Sequence, residues 1–175
     1  MNINNFLSNY TILFLLLYIV SNHSQPQITF RILQSSVLHF IPAIKLHHIV
    51  LLSDKPEHYL YTLDFTPINQ THRATLLKML FARNVPAEIR LRYIITNMVN
   101  TDEIIEQWDN MNKVTPELSS QLTTTVYNNI QNKEIKNIID KSLKWQPSMN
   151  VYNHNCQHFS HYVKNITLSV LGYRL

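Results

Sequence analysis

One thiol and three imidazoles lie close together in the stretch "VYNHNCQHFSHYV", residues 151–163. The stretch holds the only cysteine of the chain, Cys156, at the point where polar residues give way to helical spacing. A cysteine in such a setting can be a nucleophile that attacks a carbonyl carbon, or it can bind a metal ion together with histidines. Its position relative to the predicted elements helps to choose between these two kinds of chemistry.

The start of a helix favours the nucleophile. Asn153 or Asn155 would cap a helix whose first turn contains Cys156. Backbone N–H groups and the helix dipole favour a thiolate at that end, so they lower the pKa of a cysteine placed there. The same N–H groups can hold the oxyanion that forms during acyl transfer.

A thiolate nucleophile also needs a base, and a group that orients the base. Residues 46–53, "LHHIVLLS", are typical of a strand, and residues 58–65, "HYLYTLDF", of its hairpin partner. His47 and His48 point to opposite faces of the first strand. Three unpaired turn residues would place His48 opposite Asp64, whereas two or four would place His47 there. Either register makes an imidazole and a carboxylate cross-strand neighbours, as a His–Asp pair requires.

A metal site is the rival interpretation of the same stretch. His154, His158 and His161 supply three further potential ligands beside Cys156. Their spacing matches no zinc pattern, and no second cysteine completes a C-x₂-C pair. We therefore predict no metal site, and we assign His158 and His161 to the polar face of the last helix.

Composition limits the class of protein. The chain has 175 residues, of which 45% are hydrophobic and 15% charged, as in a globular domain. Its net charge of +4 comes from cations that are scattered along the chain. Nucleic-acid binding needs a dense basic patch, so we predict no nucleic-acid partner. A single cysteine also excludes an internal disulfide framework.

An apolar run, "FLSNYTILFLLLYIV", occupies residues 6–20. A bilayer-spanning helix needs about 20 residues, whereas the core of a signal peptide needs about 7–15. We assign residues 1–25 to a signal peptide or short signal-anchor, with possible membrane association through residues 6–20. This assignment predicts a secretory-pathway protein, either secreted or membrane-anchored.

Residues 26–44 have a mixed composition and are ambiguous, being either a linker or a strand and a short helix that ends at Pro42, and residues 45–175 are assigned to an α+β domain. Besides the hairpin, this domain is predicted to contain strands over 87–94 and 149–152, and helices over 71–84, 100–108, 115–130, 133–145 and from Cys156 onward. The strand over 87–94 alternates apolar and charged residues, which predicts one solvated face. The apolar residues of the helix over 73–83 are interpreted as core, with a lipid-facing role as the alternative.

The stretch "YNHNCQHFS" resembles the cysteine motif of circularly permuted papain-like proteins of the NlpC type. Those are PPPDE-type isopeptidases, with an N-C-N-x-F-S pattern, and lecithin:retinol acyltransferase-like enzymes, with N-C-E-H-F. In both families a histidine on an early hairpin strand precedes the cysteine, which is the order found here. The resemblance covers residues 46–67 and 151–163. It departs from the pattern where Val50 replaces the usual glycine two residues after the histidine.

The resemblance implies a role for each matching residue. Cys156 falls on the nucleophile, His48 on the base because an apolar strand follows it directly, and Asp64 on the third polar position. Asn155 and Gln157 match the flanks of the motif and have no assigned chemistry.

The implied fold is a permuted papain-like α+β domain with a small antiparallel sheet packed on helices. The implied function is a thiol-dependent hydrolase or acyltransferase that needs no cofactor and acts on an amide, thioester or ester bond of a protein or lipid-linked substrate. The alternative is a catalytically inactive, membrane-tethered binding module with the same fold.

Overall fold

The computed structural model of the protein describes residues 28–35, 47–55, 59–70, 72–95 and 101–173. The predicted signal segment, residues 1–25, lies outside the described residues. Within the described ranges, no helix combines the length and the apolar character needed to cross a membrane.

A five-stranded antiparallel sheet forms the centre of the fold, with the strands in the order β1-β2-β3-β4-β5. The strands are β1 (Thr29–Ser35), β2 (His47–Lys55), β3 (Tyr59–Pro67), β4 (Val85–Ile95) and β5 (Ser148–Met149). Each strand pairs with its neighbour in sequence, so the predicted hairpin is the β2–β3 pair. The predicted α+β class with a small antiparallel sheet packed on helices is confirmed.

The domain starts earlier than the sequence predicted. β1 pairs with β2 along its whole length, with Ile32 opposite Val50 and Ser35 opposite His47. Residues 29–35 therefore form a strand, which was one of the alternatives for this ambiguous segment, and they join the sheet ahead of the boundary predicted near Lys45; residues 36–44 lie outside the described residues. β1 is an edge strand that carries both buried and exposed residues, among them the exposed Arg31. Its mixed composition follows from that position, because an edge strand needs no continuous apolar run.

Five helices occur in the described residues: α1 (Arg73–Leu80), α2 (Thr101–Met111), α3 (Pro116–Asn128), α4 (Lys133–Ser142) and α5 (Cys156–Val170). Each overlaps a helix predicted from the sequence. α3 begins as predicted, with Pro116 in its first turn and the Thr115 side chain accepting a hydrogen bond from the backbone N–H of Leu118. Such a cap occupies one of the N–H groups that the first turn of a helix leaves without an intrahelical partner.

The sheet is covered on both faces. On one face, Val50, Leu63 and Phe65 pack against Ile138 of α4 and Phe159 of α5 in the larger apolar cluster. On the other face, a smaller cluster joins strand residues to α2: Leu33, Ile49, Leu51, Leu60, Ile94, Ile104 and Trp108. The strands β2 and β3 are therefore buried between two helical layers, and polar side chains within them are shielded from water.

The solvated face predicted for β4 does not exist. Arg90 and Arg92 are only 4% and 1% exposed, because each guanidinium has buried partners. Arg92 donates hydrogen bonds to the Ser119 hydroxyl at 2.7 Å and to Thr123 Oγ1 at 3.0 Å, both on α3. Thr123 Oγ1 also accepts from the backbone N–H of Leu91. α3 therefore lies along β4, and its side chains accept hydrogen bonds from the β4 backbone and from the buried guanidinium of Arg92.

The interpretation of residues 73–83 as core was also wrong. None of the α1 residues is buried, and Leu76, Leu77 and Leu80 are exposed. Only Met79 of this helix packs against the larger apolar cluster, and it is partly buried. The helix was identified correctly, but its three leucines are exposed and do not form part of the core.

Candidate functional site

Asp64 is the fully buried centre of a polar site inside the sheet. One carboxylate oxygen, Oδ2, accepts hydrogen bonds from Arg90 Nε at 3.0 Å and from Arg90 Nη2 at 2.5 Å. The other oxygen, Oδ1, accepts from the indole N–H of Trp108 at 3.2 Å. Burial alone raises the pKa of a carboxyl, but the Arg90 charge and the His47 ring outweigh it, so the pKa of Asp64 is well below its usual range. Asp64 is therefore a carboxylate at neutral pH.

His47 is the histidine that meets Asp64. Its Nε2 atom lies 3.2 Å from Asp64 Oδ2, and its ring lies 5.4 Å from the ring of Trp108. The residue directly opposite Asp64 is Ile49, and the pairing shifts register between Leu52 and Lys55. Because alternate residues share a face, His47 lies on the same face as Ile49 and reaches Asp64 diagonally.

Cys156 opens α5, as the sequence predicted. Asn155 is the cap residue, and its Oδ1 accepts from the backbone N–H groups of Gln157 at 2.9 Å and of His158 at 3.1 Å. Of the two caps considered, the structure therefore selects Asn155 rather than Asn153. The thiol of Cys156 is hydrogen-bonded to the His47 ring and to the backbone N–H of His48. The flanking Gln157 is exposed.

The charges of the site favour an ion pair between sulfur and imidazole. Burial raises the pKa of the Cys156 thiol. The hydrogen bond and positive charge of His47 lower this pKa by a larger amount, so the net shift is downward. Burial likewise lowers the pKa of His47, yet the hydrogen bonds to Asp64 and Cys156 raise it to about 9. Because Nε2 is engaged by Asp64, we assign the second ring nitrogen, Nδ1, to the thiol. Each member of the pair therefore favours the charged form of the other, a thiolate beside an imidazolium.

His48 lies on the opposite face of β2, so the assignment of His48 as the partner of Asp64 is corrected to the alternative, His47. Its Nδ1 atom lies 2.9 Å from the Ser160 hydroxyl, which itself donates to the carbonyl of Gln157 at 2.8 Å. Nε2 of His48 lies 3.4 Å from the amide nitrogen of Gln34. These directions fit a neutral ring that accepts at Nε2 and donates from Nδ1 to Ser160.

The neutral state of His48 agrees with its electrostatic surroundings. Burial lowers its pKa, and the positive charges of His47 and His161 lower it further. Ser160 is fully buried, one turn after Cys156 on the inner side of α5. The contact between His48 and Ser160 therefore ties the first turn of α5 to the start of β2.

The rival metal interpretation fails on geometry. His154 stacks on the Trp145 ring with the ring centroids 4.3 Å apart, and its Nδ1 atom lies 2.5 Å from the Ser148 carbonyl oxygen. His158 turns back to the cap, with Nδ1 at 2.9 Å from Asn155 Oδ1. Throughout the part of the chain that the structure describes, no three His, Cys, Asp or Glu side chains are grouped so that they could hold a metal ion.

Three residues of the site were missed by sequence reasoning. Arg90, Trp108 and Ser160 supply the countercharge, the indole donor and the hydroxyl that fixes His48. Arg90 offered a usable signal, since it is the direct partner of Asp64 in the β3–β4 register. Two opposite charges in neighbouring, otherwise apolar strands indicate a buried pair. Trp108 and Ser160 offered no comparable signal, because their contacts depend on how α2 and α5 pack.

Comparisons with known proteins identify no relative of this chain. No family model matches the chain, and neither the curated proteins nor the solved structures contain a significant match. The function must therefore be argued from the geometry of these residues.

The protonation of Cys156 and His47 makes a prediction about stability. The folded-state pKa of His47, about 9, lies above its ordinary value of 6.5, so its contribution is full below pH 6.5 and is lost as the pH rises through 9. The folded-state pKa of Cys156 lies below its ordinary 9.0, so its contribution is present above that value and is lost as the pH falls through the folded-state pKa. Below pH 9.0 the loss of the His47 contribution with rising pH is therefore opposed by the gain of the Cys156 contribution.

We therefore expect the contribution of the pair to the free energy of unfolding to stay constant as the pH rises through 9, because the folded pair loses its last proton from His47 at about 9 and the unfolded pair loses its last proton from Cys156 at 9.0. A His47 contribution without the opposing change at Cys156 would instead fall by about 1.4 kcal/mol per pH unit as the pH approaches 9. Urea denaturation of the wild type and of a Cys156→Ser, His47→Gln double variant gives the difference curve, in which all other groups cancel. A contribution that falls as the pH approaches 9 would show that the folded pair holds two protons there, so that Cys156 is not a thiolate beside the imidazolium.

Proposed function

We propose that the protein is a thiol-dependent hydrolase or acyltransferase with a permuted papain-like site, in which Cys156 is the nucleophile, His47 the base and Asp64 the group that orients the base. The observation that carries the proposal is the contact of His47 with both Asp64 and Cys156. The chain order, with the histidine on a hairpin strand ahead of the cysteine on a helix, agrees with the resemblance to PPPDE-type isopeptidases and lecithin:retinol acyltransferase-like enzymes. The substrate carries an amide, thioester or ester bond, in a protein or a lipid-linked molecule.

The reaction begins with the thiolate of Cys156. Its sulfur attacks the carbonyl carbon of the substrate, a C–S bond forms, and the carbonyl electron pair moves onto oxygen. The oxyanion collapses, the bond to the leaving group breaks, and the imidazolium of His47 gives its proton to that group. Water, or an acceptor hydroxyl or amine, then loses a proton to neutral His47 and attacks the thioester. This step releases the acyl product and restores the thiolate and the imidazolium.

The position of Cys156 at the start of α5 supports the oxyanion step. We assign the backbone N–H of Cys156, in the first turn of α5 and next to the sulfur, as the oxyanion donor. A donor of this kind typically accounts for about 10²–10³ in kcat. Cys156 is 8% exposed, whereas Asn153 and Gln157 on either side of it are exposed, so the site lies just below the protein surface.

Asp64 has two tasks in this scheme. Its carboxylate fixes the orientation of the His47 ring through Nε2, and it stabilises the imidazolium that the ion pair requires. Arg90 donates to the same oxygen, Oδ2, and Trp108 donates to Oδ1, so the two residues hold the carboxylate in place. The role of Asp64 is therefore electrostatic and positional, and its own proton never takes part.

A small activated ester tests the proposal without knowledge of the natural substrate. We expect p-nitrophenyl acetate to release a burst of p-nitrophenolate equivalent to one acyl group per protein, with the acetyl group found on Cys156 by intact-mass and peptide mass spectrometry. A thioester intermediate forms before it hydrolyses, so the burst should precede slower turnover. The Cys156→Ala variant should lose both the burst and the modification.

His47→Ala should form the acetylated species at least tenfold more slowly, because the thiolate is no longer stabilised. Stable acetylation of Cys156 without turnover would favour the alternative of a catalytically inactive binding module. Absence of any acetylation in the folded wild type, or unchanged acetylation in Cys156→Ala, would overturn the proposal.

A further inference from the structure

An exposed apolar surface lies at the same end of the sheet as the thiol. α1 forms the connection between β3 and β4, and β3 leaves the sheet only three residues after Asp64. β2 begins with His47 at this end, since β2 and β3 are antiparallel. The α1 helix and the Cys156–His47 pair are therefore on one side of the molecule.

The apolar side chains of α1 are concentrated on its outer face. Leu76, Leu77, Leu80 and Phe81 lie within less than half of the helix circumference, at the spacing of 100° per residue that an α-helix gives. Leu80 and Phe81 are 75% and 74% exposed, and α1 has no buried residue. A run of large apolar side chains at this exposure is uncommon on a surface that meets only water.

The loop before Cys156 extends this surface. Asn150 donates through Nδ2 to the carbonyl of Ala82 at 2.7 Å and to Asn84 Oδ1 at 3.0 Å, which ties the loop to the end of α1. Val151 and Tyr152, directly after Asn150, are exposed as well. Ala82 itself has a φ of 54°, and it turns the chain at the end of α1 so that its carbonyl meets Asn150.

The charge around this surface has one sign. Arg73, Lys78 and Arg83 are exposed on α1 and directly after it, and residues 72–84 contain no Asp or Glu. A helix with Leu and Phe on one face and only cations among its charged residues is complementary to a bilayer that carries anionic lipids. A protein groove would bind the same apolar face, but it gives no reason for three cations without an acidic residue.

We propose that α1 and residues 151–152, here called the docking surface, bind an anionic lipid bilayer and bring the Cys156 end of the molecule to it. This proposal does not depend on the thiol chemistry, since the docking surface contains none of the residues assigned to the reaction. It differs from membrane association through residues 6–20, which lie far from α1 in sequence and outside the described residues.

A tryptophan placed on α1 reports docking even when another segment also binds vesicles. We expect the Phe81→Trp variant of the full chain to show quenching by acyl-chain-brominated lipid in vesicles of equimolar phosphatidylcholine and phosphatidylserine. Quenching should be weaker in phosphatidylcholine vesicles and should fall with added salt. Leu118→Trp on α3 is the matched control, because Leu118 is also exposed but α3 packs beside Arg92, towards the other end of β4. The Leu118→Trp variant should show no quenching beyond that of the native tryptophans.

Charge variants test the complementarity. Lys78→Gln and Arg83→Gln should each weaken binding to the anionic vesicles about fivefold. Lys133→Gln should leave it unchanged, since Lys133 follows Asn132, which contacts Asp54 at the opposite end of β2. Leu77→Asp should reduce binding at least tenfold, and thermal unfolding should show that this exposed position tolerates the change.

Three results would overturn the proposal. Vesicle binding without quenching in Phe81→Trp would assign the binding to another segment. Equal quenching in Phe81→Trp and Leu118→Trp would show no preferred surface. A dimer in sedimentation equilibrium that Leu77→Asp dissociates, without quenching in Phe81→Trp, would assign the surface to a second copy of the chain.

Discussion

At about pH 6, alkylation of Cys156 by iodoacetamide becomes at least tenfold slower when His47 is replaced with alanine. The reason lies in the ionisation of the thiol. Burial raises the pKa of Cys156, and the hydrogen bond and charge of His47 are the largest influences that lower it. Without the imidazole, burial and the negative charge of Asp64 dominate, so the thiol is protonated at this pH and reacts slowly.

The pH dependence of the alkylation rate separates this effect from a general loss of structure. In His47→Ala the midpoint of the profile should move to higher pH, whereas the rate at high pH, where any thiol is ionised, should approach that of the wild type. A variant that fails to fold would instead expose Cys156 and give the profile of an ordinary thiol together with a lost unfolding transition. Circular dichroism on the same samples therefore distinguishes the two cases.

His48→Ala is the matched control, since it makes the same substitution one position later on the same strand. The His48 side chain faces Ser160, and the backbone N–H that contacts the sulfur is retained in the variant. We expect a much smaller shift of the midpoint than in His47→Ala. A larger shift in His48→Ala would reverse the assignment of the base and would remove the main support for the proposed site.

The choice between the two histidines shows where sequence reasoning ends. The strands, the alternation of faces and the presence of Asp64 follow from local patterns, and they limit the base to one of two residues. Which of the two shares a face with Asp64 depends on the register, and a shift of one residue moves every side chain to the other face. The register shift between Leu52 and Lys55 decides which of the two histidines lies on the same face as Asp64, and nothing in the residue types predicts this shift.

The start of α5 was predictable because its signals are local. Asn155, the cysteine after it and the apolar spacing that follows lie within a few residues, and the capping contacts agree with them. The surroundings of Asp64 were not predictable in the same way. Arg90 and Trp108 are 26 and 44 residues away in the chain, and an alternating strand looks the same whether its charges meet water or a buried carboxylate.

α1 illustrates the same limit for apolar residues. The periodicity of Leu76, Leu77 and Leu80 identifies an amphipathic helix, but it does not say which face meets the sheet. The structure places Met79 towards the core and the leucines outside. The predicted signal segment, residues 1–25, and the secretory location stay predictions.

The second large effect concerns the buried charges. Replacing Asp64 with asparagine keeps the shape of the side chain but removes the only carboxylate that contacts Arg90 in the described residues. Arg90 is 4% exposed, so its guanidinium would stay buried without a countercharge. Removing one partner of a buried ion pair destabilises a protein by about 3–5 kcal/mol. We expect Asp64→Asn to lower the free energy of unfolding, measured by urea denaturation at neutral pH, by that amount.

A second substitution shows whether the loss comes from the orphaned cation. In Asp64→Asn combined with Arg90→Met, the buried charge is gone and an apolar side chain of similar length fills its place. We expect this double variant to recover most of the lost free energy, because replacing both members of a buried pair is often close to neutral. No recovery would mean that Asp64 stabilises the fold mainly through Trp108 and His47.

The same carboxylate predicts how the protein responds to acid. The folded-state pKa of Asp64 is depressed, so its contribution to stability is present above the unfolded-state value of about 3.9 and is lost as the pH falls towards the folded-state pKa. The wild type should therefore lose stability steeply below about pH 4, and Asp64→Asn should lose less over the same range. Because Asp64 also raises the pKa of His47, the substitution should lower the pH at which the His47 ring loses its proton, measured by NMR of the histidine rings, even where the variant is fully folded. A destabilised variant in which His47 titrates as in the wild type would make Asp64 a structural residue and would leave His47 without its orienting partner.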